Sequence, residues 1–363
     1  MAFVVNPLAS VKTLGIANSF EIAPVATRFS KPASLFGWRF GIIDVLLYQL
    51  FGDKIKIHDW IVKKDFILFR LLNVISRNVS KTEVPPENAF NEFLSVIDNN
   101  PAEPFFAWIH LFPPHDPYLP PEPYMGMFDS SAELRRLKSQ EQLTYQYFSQ
   151  EMQPEVETLR ARYNEFVRYC DKQFEDFIAQ LAKRSKLKNT VIILSSDHGE
   201  SFEHGYLTHG NEHLYEQVTN IPLIIKEPHQ TEGRIIHELV EQIDIPPTIL
   251  ELANKPVPSW MEGRSLVPLM RGKRLLSRPA FSMNFEKNPS RGHQITKGTI
   301  AIWEGDYKLI HYLQEKKSLL FNLKKDPDEL QNLFDREPEI GKHLLSLIHE
   351  NLKRANGRIS RGE

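Results

Sequence analysis

The amino-acid sequence predicts an α/β protein, with a mostly parallel mixed sheet flanked by helices and a small C-terminal antiparallel sheet plus one helix. Helical and strand patterns alternate from about residue 84 to residue 255, which is typical of layered α/β folds. After Pro268 the pattern changes to short strands joined by a tight turn. We therefore expect a large domain over residues 1–268 and a small one over residues 269–363.

The first half of the chain carries clear element signals. MAFVVNP predicts a strand, residues 84–100 predict a helix that starts after two prolines, and the apolar run 104–112 predicts a strand covered on both faces. The proline-rich segment 113–123 must be an irregular loop. A long amphipathic helix is predicted by apolar residues at three- and four-residue steps: Tyr163, Phe166, Val167, Cys170, Phe174, Phe177, Ile178 and Leu181.

The second half predicts further strands and helices. Strands are expected over residues 191–196 and 220–226, and a short helix is expected within 243–256, where prolines lie near its start. In the small domain, we expect strands within 299–313 and 318–323, a turn at 304–306 and a last helix near 337–354.

The composition is ordinary for a globular protein. The 363 residues are 41% apolar and 25% charged, with a formal net charge of -2, so nothing indicates binding to nucleic acid or to an acidic membrane surface. The single cysteine, Cys170, rules out an internal disulfide and a multi-cysteine zinc site. Because Cys170 lies on the apolar face of the predicted helix, we interpret it as a small core residue.

No membrane span or export signal is predicted. The apolar run at residues 40–51 is too short to span a bilayer and contains Asp44, so we expect a core-facing or groove helix there. The N-terminus lacks the basic region and long apolar segment of a signal peptide. We expect a soluble chain whose compartment and oligomeric state stay open, and the sequon at 78–80 would matter only in a secreted protein.

Metal-binding and proton-binding side chains follow the predicted strand at 191–196. Ligands of open α/β sheets bind beyond the carboxyl ends of the strands, and Asp197 and His198 come directly after this one. A carboxylate and an imidazole suit a divalent cation such as Ca²⁺, Zn²⁺ or Mn²⁺. Gly199 allows a tight backbone turn behind them. On spacing alone, a surface loop with a capping aspartate and a solvated histidine explains the pattern equally well.

Further histidines follow predicted strands at the same end of the sheet. His110 and His115 belong to the region where the apolar run 104–112 ends, and His209 lies a short loop after the Asp-His pair. His115 stands between prolines, and a rigidly held imidazole can bind an anionic oxygen or transfer a proton near neutral pH. Taken alone, each of these histidines is more often structural.

These motifs together resemble the sulfatases, within the alkaline phosphatase superfamily. The similar blocks stand in family order: FFAWIHLFPPHDPY, VIILSSDHGESFEHGYLTHG, YEQVTNIPLIIK, QIDIPPTILELA, MEGRSLVPLM and GDYKLIHYLQEKKSLLFNLKKDPDELQNL. They cover nearly the whole chain, and the blocks at 196–200 and 319–333 are the most specific.

The resemblance implies roles for individual residues. Asp197 and His198 match two ligands of the catalytic metal, which is usually Ca²⁺ in sulfatases. His115 matches the histidine that contacts the sulfate group. His209 matches the basic residue that helps the leaving-group oxygen to depart. Three neighbouring side chains are expected to support these groups: His110, Glu200 and His204.

The resemblance also implies a nucleophile that this sequence does not contain. Sulfatases use a formylglycine made from the first residue of a Cys/Ser-x-Pro-x-Arg motif, after a strand that ends in metal-binding aspartates. Cys170 lies in YCDKQF, and the segment KNPSR at 287–291 has a lysine in the nucleophile position. We therefore expect a chain that lacks the first segment of the family, with little hydrolase activity and weak metal affinity by itself.

Three functions stay open on this reasoning. The leading one is a sulfatase-type hydrolase of small-molecule or glycan sulfate esters, with an incomplete site. The second is a phosphorus-acting relative, either a phosphonate or phosphodiester hydrolase or a phosphoethanolamine-type transferase, for which the metal would be Zn²⁺ or Mn²⁺. The third is a non-catalytic binding paralogue. Specificity would come from the loops at 30–85 and 119–150, although ordinary surface packing explains their composition at least as well.

Overall fold

The computed structural model describes most of the chain, namely residues 1–4, 16, 19–23, 85–99, 104–131, 140, 147–209, 212–287, 289 and 292–362. Within these residues, no helix is both long enough and apolar enough to cross a bilayer. The helix predicted over 40–51 and the sequon at 78–80 lie outside the described residues, as does most of the predicted loop at 30–85.

The chain folds as two compact units. The first comprises Met1–Thr144 and Met152–Leu187, and the second comprises Tyr145–Glu151 and Lys188–Glu363. The domain boundary predicted at residue 268 falls within the second unit and stays a prediction.

The first unit contains two short strands and two helices: β1 (Ala2–Val4), α1 (Pro86–Asn99), β2 (Trp108–His110) and α2 (Gln153–Lys183). Strands β1 and β2 are parallel, with Phe3 opposite Ile109. Helix α2 has a proline in its first turn, where a missing amide donor costs least. Its buried apolar residues recur at helical spacing, which confirms the predicted amphipathic helix: Val156, Leu159, Phe166, Tyr169, Phe177 and Leu181.

Helices α1 and α2 pack through aromatic side chains. Phe90 stacks on Phe177 with ring centroids 4.4 Å apart, and Phe93 meets the same ring edge-on at 5.8 Å. Burial raises the pKa of the Cys170 thiol to about 12, so Cys170 is an unreactive packing residue as predicted. Val167, in contrast, is exposed, because it lies beyond the edge of the face that α2 buries.

A buried ion pair on α2 holds the loop that follows the proline-rich segment. Nη1 of Arg162 lies 2.6 Å from Oε2 of Glu165, and both side chains are fully buried. The Glu165 carboxylate also accepts hydrogen bonds from the backbone amides of Gly126, Phe128 and Asp129. Burial alone would raise the pKa of Glu165, but these donors and Arg162 outweigh it and lower that pKa. The helix therefore fixes the loop with charge-assisted hydrogen bonds.

The second unit contains most of the described elements. In chain order they are β3 (Ile192–Ser195), α3 (Glu216–Thr219), β4 (Leu223–Lys226), α4 (Ile245–Leu252), α5 (Val267–Met270), β5 (Ala280–Phe285), β6 (Gly298–Glu304), β7 (Tyr307–Tyr312), β8 (Lys317–Asn322) and α6 (Pro338–Arg361). Strand β5 was not predicted.

Strands β3 and β4 run antiparallel, with Ile193 opposite Ile225. The connection between them, residues 196–222, is long enough for a parallel crossover, so its length does not set the direction of β4. In the described chain, parallel pairing occurs only between β1 and β2. The mixed α/β character is confirmed, but the mostly parallel sheet is not confirmed and stays a prediction.

The predicted C-terminal antiparallel sheet and its helix are confirmed. The strands pair in the order β5-β6-β7-β8, each antiparallel to its neighbour. Helix α6 packs on this sheet, and the buried side chains of the interface come from both: Ile300, Ile302, Leu309, Leu320, Leu344 and Ile348. Burial of this apolar surface is the main force that holds the helix to the sheet.

Candidate functional site

The loop after β3 carries Asp197 and His198. The side chain of Asp197 is 60% exposed, and its Oδ1 accepts a hydrogen bond from the backbone amide of His198 at 3.0 Å. Nδ1 of His198 lies 2.8 Å from the carbonyl oxygen of Gly199. A carbonyl oxygen can only accept, so Nδ1 carries the proton and Nε2 presents a lone pair when the ring is neutral. That Nε2 lies 3.7 Å from Asp197 Oδ1.

Gly199 is required by a close backbone approach. Its amide donates to the carbonyl of Val218 at 2.8 Å. A Cβ at this position would lie 2.1 Å from the carbonyl oxygen of Gln217, which is well inside any real contact distance. The predicted role of Gly199 in a turn is therefore refined, because glycine is needed here for space.

His209 returns to the Asp197–His198 loop and stacks on it. The His198 and His209 rings lie 3.7 Å apart between centroids, with an angle of 23° between their planes. Nδ1 of His209 lies 3.1 Å from Oε1 of Glu200, and only 4% of the Glu200 side chain is exposed. Thr208, just before His209, adopts a left-handed φ of 78°. Its backbone amide donates a hydrogen bond to the carbonyl of Ser201 at 3.0 Å. The structure thus brings Asp197, His198 and His209 into one loop.

His204 was expected to support these groups, but it packs elsewhere in the loop. Its ring stacks on Tyr215 with centroids 3.8 Å apart and planes 5° from parallel. Burial lowers the pKa of His204. Of the predicted supporting residues in this loop, Glu200 contacts the predicted site histidine His209 directly.

His115 and His110 lie in the first unit. Nδ1 of His115 lies 2.8 Å from Oδ1 of Asp116, whose side chain is nearly buried, and the ring stacks on Phe112 with centroids 4.4 Å apart. These contacts orient the His115 ring, and the rigidity expected from the flanking prolines stays a prediction. His110 is the last residue of β2 and meets Trp108 edge-on. That His115 shares a cavity with Asp197 stays a prediction.

The Asp197–His198 pair fits a divalent cation as two ligands. Two atoms that are each about 2.3 Å from one cation lie roughly 3 to 4 Å apart, and the observed separation falls in this range. No hydrogen bond joins the two atoms at 3.7 Å, since that distance exceeds the normal range. In the part of the chain that the structure describes, no group of three or more metal-binding side chains is assembled.

Two groups of residues were missed by sequence reasoning, one that contacts this loop directly and one that holds the helix α3 beside it. Nε2 of Gln242 donates to the carbonyl of Ser196, the residue before Asp197, at 3.0 Å. Lys308, the second residue of β7, is fully buried and pairs with Glu216 at the start of α3. A lysine within a strand of mostly apolar and aromatic residues was the available signal for the second group, because a buried lysine must have a partner.

Comparison with known protein families supports the fold and its motifs. A family model described as Sulfatase matches residues 28–255. A second model, described as N-sulphoglucosamine sulphohydrolase, C-terminal, matches residues 202–357. The two matches together extend over 28–357 and so include the loop after β3 and the C-terminal sheet.

Individual proteins similar to this chain include sulfatases and a phosphonate monoester hydrolase. Arylsulfatase K of Xenopus laevis is 28% identical over 284 residues, which are 69% of this chain and 52% of that protein. The solved structure of the protein BT4656 in complex with its substrate D-glucosamine-2-N,6-O-disulfate matches with a TM-score of 0.56 at 20% identity. The match covers 76% of this chain and 71% of BT4656. The phosphonate monoester hydrolase of Silicibacter pomeroyi has a TM-score of 0.60 at 20% identity, covering 74% and 61%.

At these identities the structural similarities show a shared fold. The chain spans about half the length of the curated relatives it matches. The Sulfatase model, however, covers well over half of this chain. The matched segment contains His110 and His115, the Asp197–His198 pair and His209. The chain therefore belongs to the sulfatase family of hydrolases.

Proposed function

We propose that this chain carries the metal and leaving-group side of a sulfate-ester hydrolase site that acts on sulfated glycans. The observation that supports this most directly is the loop after β3. There, His198 and His209 stack at 3.7 Å, Asp197 lies beside the first ring, and Glu200 binds the second. A cation ligand pair and an oriented proton donor are two parts that ester hydrolysis at sulfur requires.

Asp197 and His198 would hold the cation, and we propose Ca²⁺. A bound Ca²⁺ would withdraw charge from a sulfate oxygen and so stabilise the charge that develops during hydrolysis. Because Ca²⁺ takes about six to eight oxygen ligands, one carboxylate and one imidazole bind it weakly. We therefore expect millimolar rather than nanomolar affinity in this chain.

The histidines would transfer a proton to the leaving group and contact the charged sulfate group. A carboxylate only accepts hydrogen bonds, so Glu200 keeps a proton on Nδ1 of His209. Nε2 would then face the leaving-group oxygen, and it can donate a proton there when the ring is doubly protonated. Asp116 fixes the ring of His115 in the same manner. With its ring oriented in this way, His115 is proposed to contact the sulfate group.

The substrate class is supported by the similar proteins. Arylsulfatase K is named as a sulfatase, and one similar structure holds a glucosamine disulfate. The phosphonate monoester hydrolase of the same fold makes a phosphorus ester the second candidate, for which Zn²⁺ or Mn²⁺ would replace Ca²⁺. We propose the sulfate ester because both family models are sulfatase models.

Turnover by this chain alone should be small. The 363 residues contain no Cys/Ser-x-Pro-x-Arg motif from which a formylglycine could form, and covalent catalysis needs a nucleophile. Hydrolysis of an aryl sulfate with added Ca²⁺ should therefore stay at the level of an Asp197→Ala variant. Turnover that the Asp197→Ala substitution abolishes would show that the chain supplies its own nucleophile.

Metal binding tests the proposed site without relying on turnover. Mn²⁺ prefers the same oxygen and nitrogen donors and broadens nearby NMR signals. In the protein with ¹⁵N-labelled histidines, we expect Mn²⁺ titration to broaden the imidazole signals of His198 and His209 together. An Asp197→Asn variant should lose this broadening.

Two results would contradict the proposal. If His198 and His209 keep sharp signals at millimolar Mn²⁺, the loop does not bind a cation and a non-catalytic paralogue becomes the better explanation. If the broadening persists in the Asp197→Asn variant, Asp197 does not hold the cation. Added glucosamine sulfate and aryl phosphonate, compared as competitors in the same titration, would separate the two ester classes.

A further inference from the structure

A buried ammonium group lies within the second unit. The side chain of Lys308 is fully buried, and its Nζ lies 3.0 Å from Oε1 of Glu216 and 2.8 Å from Oε1 of Glu329. The same atom stands 4.7 Å from the centroid of the Trp303 ring. A buried charge is costly unless it is paired and hydrogen-bonded, so these partners must hold their positions.

The partners of Lys308 fix the first residue of α3. Oε2 of Glu329 accepts a hydrogen bond from the backbone amide of Glu216 at 2.6 Å, and Nε1 of Trp303 donates to Oε1 of Glu216 at 2.8 Å. Glu216 is therefore held by its backbone and by its side chain. Helix α3 has only four residues and gains little stability from its own hydrogen bonds, so its position depends on such contacts.

Glu329 belongs to the segment DPDEL, residues 326–330, which lies in one of the two blocks that most specifically resemble the sulfatases. It adopts a left-handed φ of 54°, which is unfavourable for a residue with a side chain. The turn is closed by Asp326, whose carboxylate accepts the amides of Leu330 and Gln331. The strained turn directs the Glu329 side chain toward Lys308 and α3, so the segment helps to fix the position of α3.

The other end of α3 contacts the site. The carbonyl of Val218 accepts the Gly199 amide, and the carbonyl of Gln217 occupies the space that a Gly199 side chain would need. The carbonyl of Gly199 in turn accepts the Nδ1 proton of His198. Each contact in this series is direct, and all the residues belong to the second unit.

We propose that Lys308, Glu216 and Glu329 are positioning residues for His198. They set the place of α3, α3 sets the place of the Gly199 backbone, and the Gly199 carbonyl selects the His198 tautomer that turns Nε2 toward Asp197. This inference deepens the proposed function, since it rests on His198 as a metal ligand. It adds that the C-terminal sheet sets the tautomer of that ligand through α3.

The tautomer of His198 distinguishes positioning from general stability. A group that merely stabilises the fold changes the unfolding transition and leaves the imidazole of the folded protein unchanged. A positioning group also changes which ring nitrogen carries the proton. Two-bond ¹H–¹⁵N spectra of the ¹⁵N-histidine protein, without metal or substrate and at a pH where imidazoles are neutral, report that nitrogen directly.

Glu216→Gln is the main test variant, because it keeps the shape and one acceptor oxygen while removing the charge that holds Lys308. We expect wild-type His198 to be mostly the Nδ1–H tautomer. In the variant, the ratio of the two tautomers should shift roughly fivefold toward Nε2–H, the factor that a hydrogen bond of ordinary net strength supplies. Lys308→Met should shift it further if that variant folds.

Two controls complete the experiment. Glu251→Gln removes an exposed carboxylate on α4 and should leave the His198 signals unchanged. Leu344→Ala destabilises the interface of α6 with the sheet and should lower stability with no change of tautomer. A folded Glu216→Gln protein with the wild-type tautomer ratio would overturn the proposal, as would a wild-type His198 that is mostly Nε2–H. Neither result depends on whether the chain binds a cation or hydrolyses an ester.

Discussion

Both carboxylate oxygens of Glu200 face one ring nitrogen of His209, with Oε1 at 3.1 Å and Oε2 at 3.3 Å from Nδ1. Glu200 is nearly buried, so this contact is shielded from solvent. A shielded carboxylate fixes both the orientation and the protonated nitrogen of an imidazole. The two residues are nine positions apart, and the loop between them must return for the contact to form.

Glu200→Gln should weaken this contact without removing it. A neutral amide can accept or donate, so His209 should lose its preference for the Nδ1–H tautomer, and the free energy of unfolding should fall by about 1–3 kcal/mol. Urea unfolding and ¹⁵N-histidine spectra measure the two effects. Glu232→Gln, at an exposed position, serves as the control. An unchanged His209 tautomer would show that Glu200 does not orient the ring.

Gly199→Ala should be far more harmful than Gly233→Ala. The added methyl at residue 199 would meet the Gln217 carbonyl at 2.1 Å, whereas nothing lies within 4 Å of a Cβ at residue 233. We expect a loss of at least about 2 kcal/mol for the first variant and a change within about 0.5 kcal/mol for the second. Urea unfolding of both proteins checks this, and equal effects would contradict the backbone contact between Gly199 and α3.

Arg162→Met should be strongly destabilising. It leaves the Glu165 carboxylate buried without its cation, and breaking a buried pair in this way costs about 3–5 kcal/mol. Asp176→Asn is the matched control on the same helix, because its pair with Lys172 is exposed and should contribute less than about 0.5 kcal/mol. Similar unfolding midpoints for the two variants would mean that solvent reaches the Arg162 site.

Stability should fall as the pH is lowered below about 6.5, the ordinary pKa of histidine. Burial lowers the pKa values of His204, His213 and His311 in the folded protein. The unfolded chain then binds protons at a higher pH than the folded chain, so their contribution is complete above the unfolded pKa and is lost as the pH falls through this window.

His311→Asn should make the decline in stability below pH 6.5 less steep, since one of these groups is removed. Urea midpoints between pH 5 and pH 8 measure the slope. Ile348→Ala, a core lesion without a titrating group, should lower the whole curve and leave its slope unchanged. A His311→Asn slope equal to that of the wild type would show that His311 does not contribute to the pH dependence.

The sequence predicted elements well where the pattern was local and long. Helix α2 and the C-terminal strands follow directly from apolar spacing, because one face of each must be buried. Pairing was harder to predict. Strands β3 and β4 look like neighbours in a parallel sheet, yet they run antiparallel, and the connection at 196–222 is long enough for either direction.

Sequence alone determined the family and the kinds of side chain at Asp197, His198, His115 and His209. It also showed that the 363 residues contain no Cys/Ser-x-Pro-x-Arg motif. These are properties of residue type and spacing along the chain. Tertiary structure decided that His209 stacks on His198, that Glu200 binds His209, and that the buried Lys308 reaches α3. Such contacts depend on how the chain returns to itself, because a hydrogen bond is set by distances in space rather than by positions in sequence.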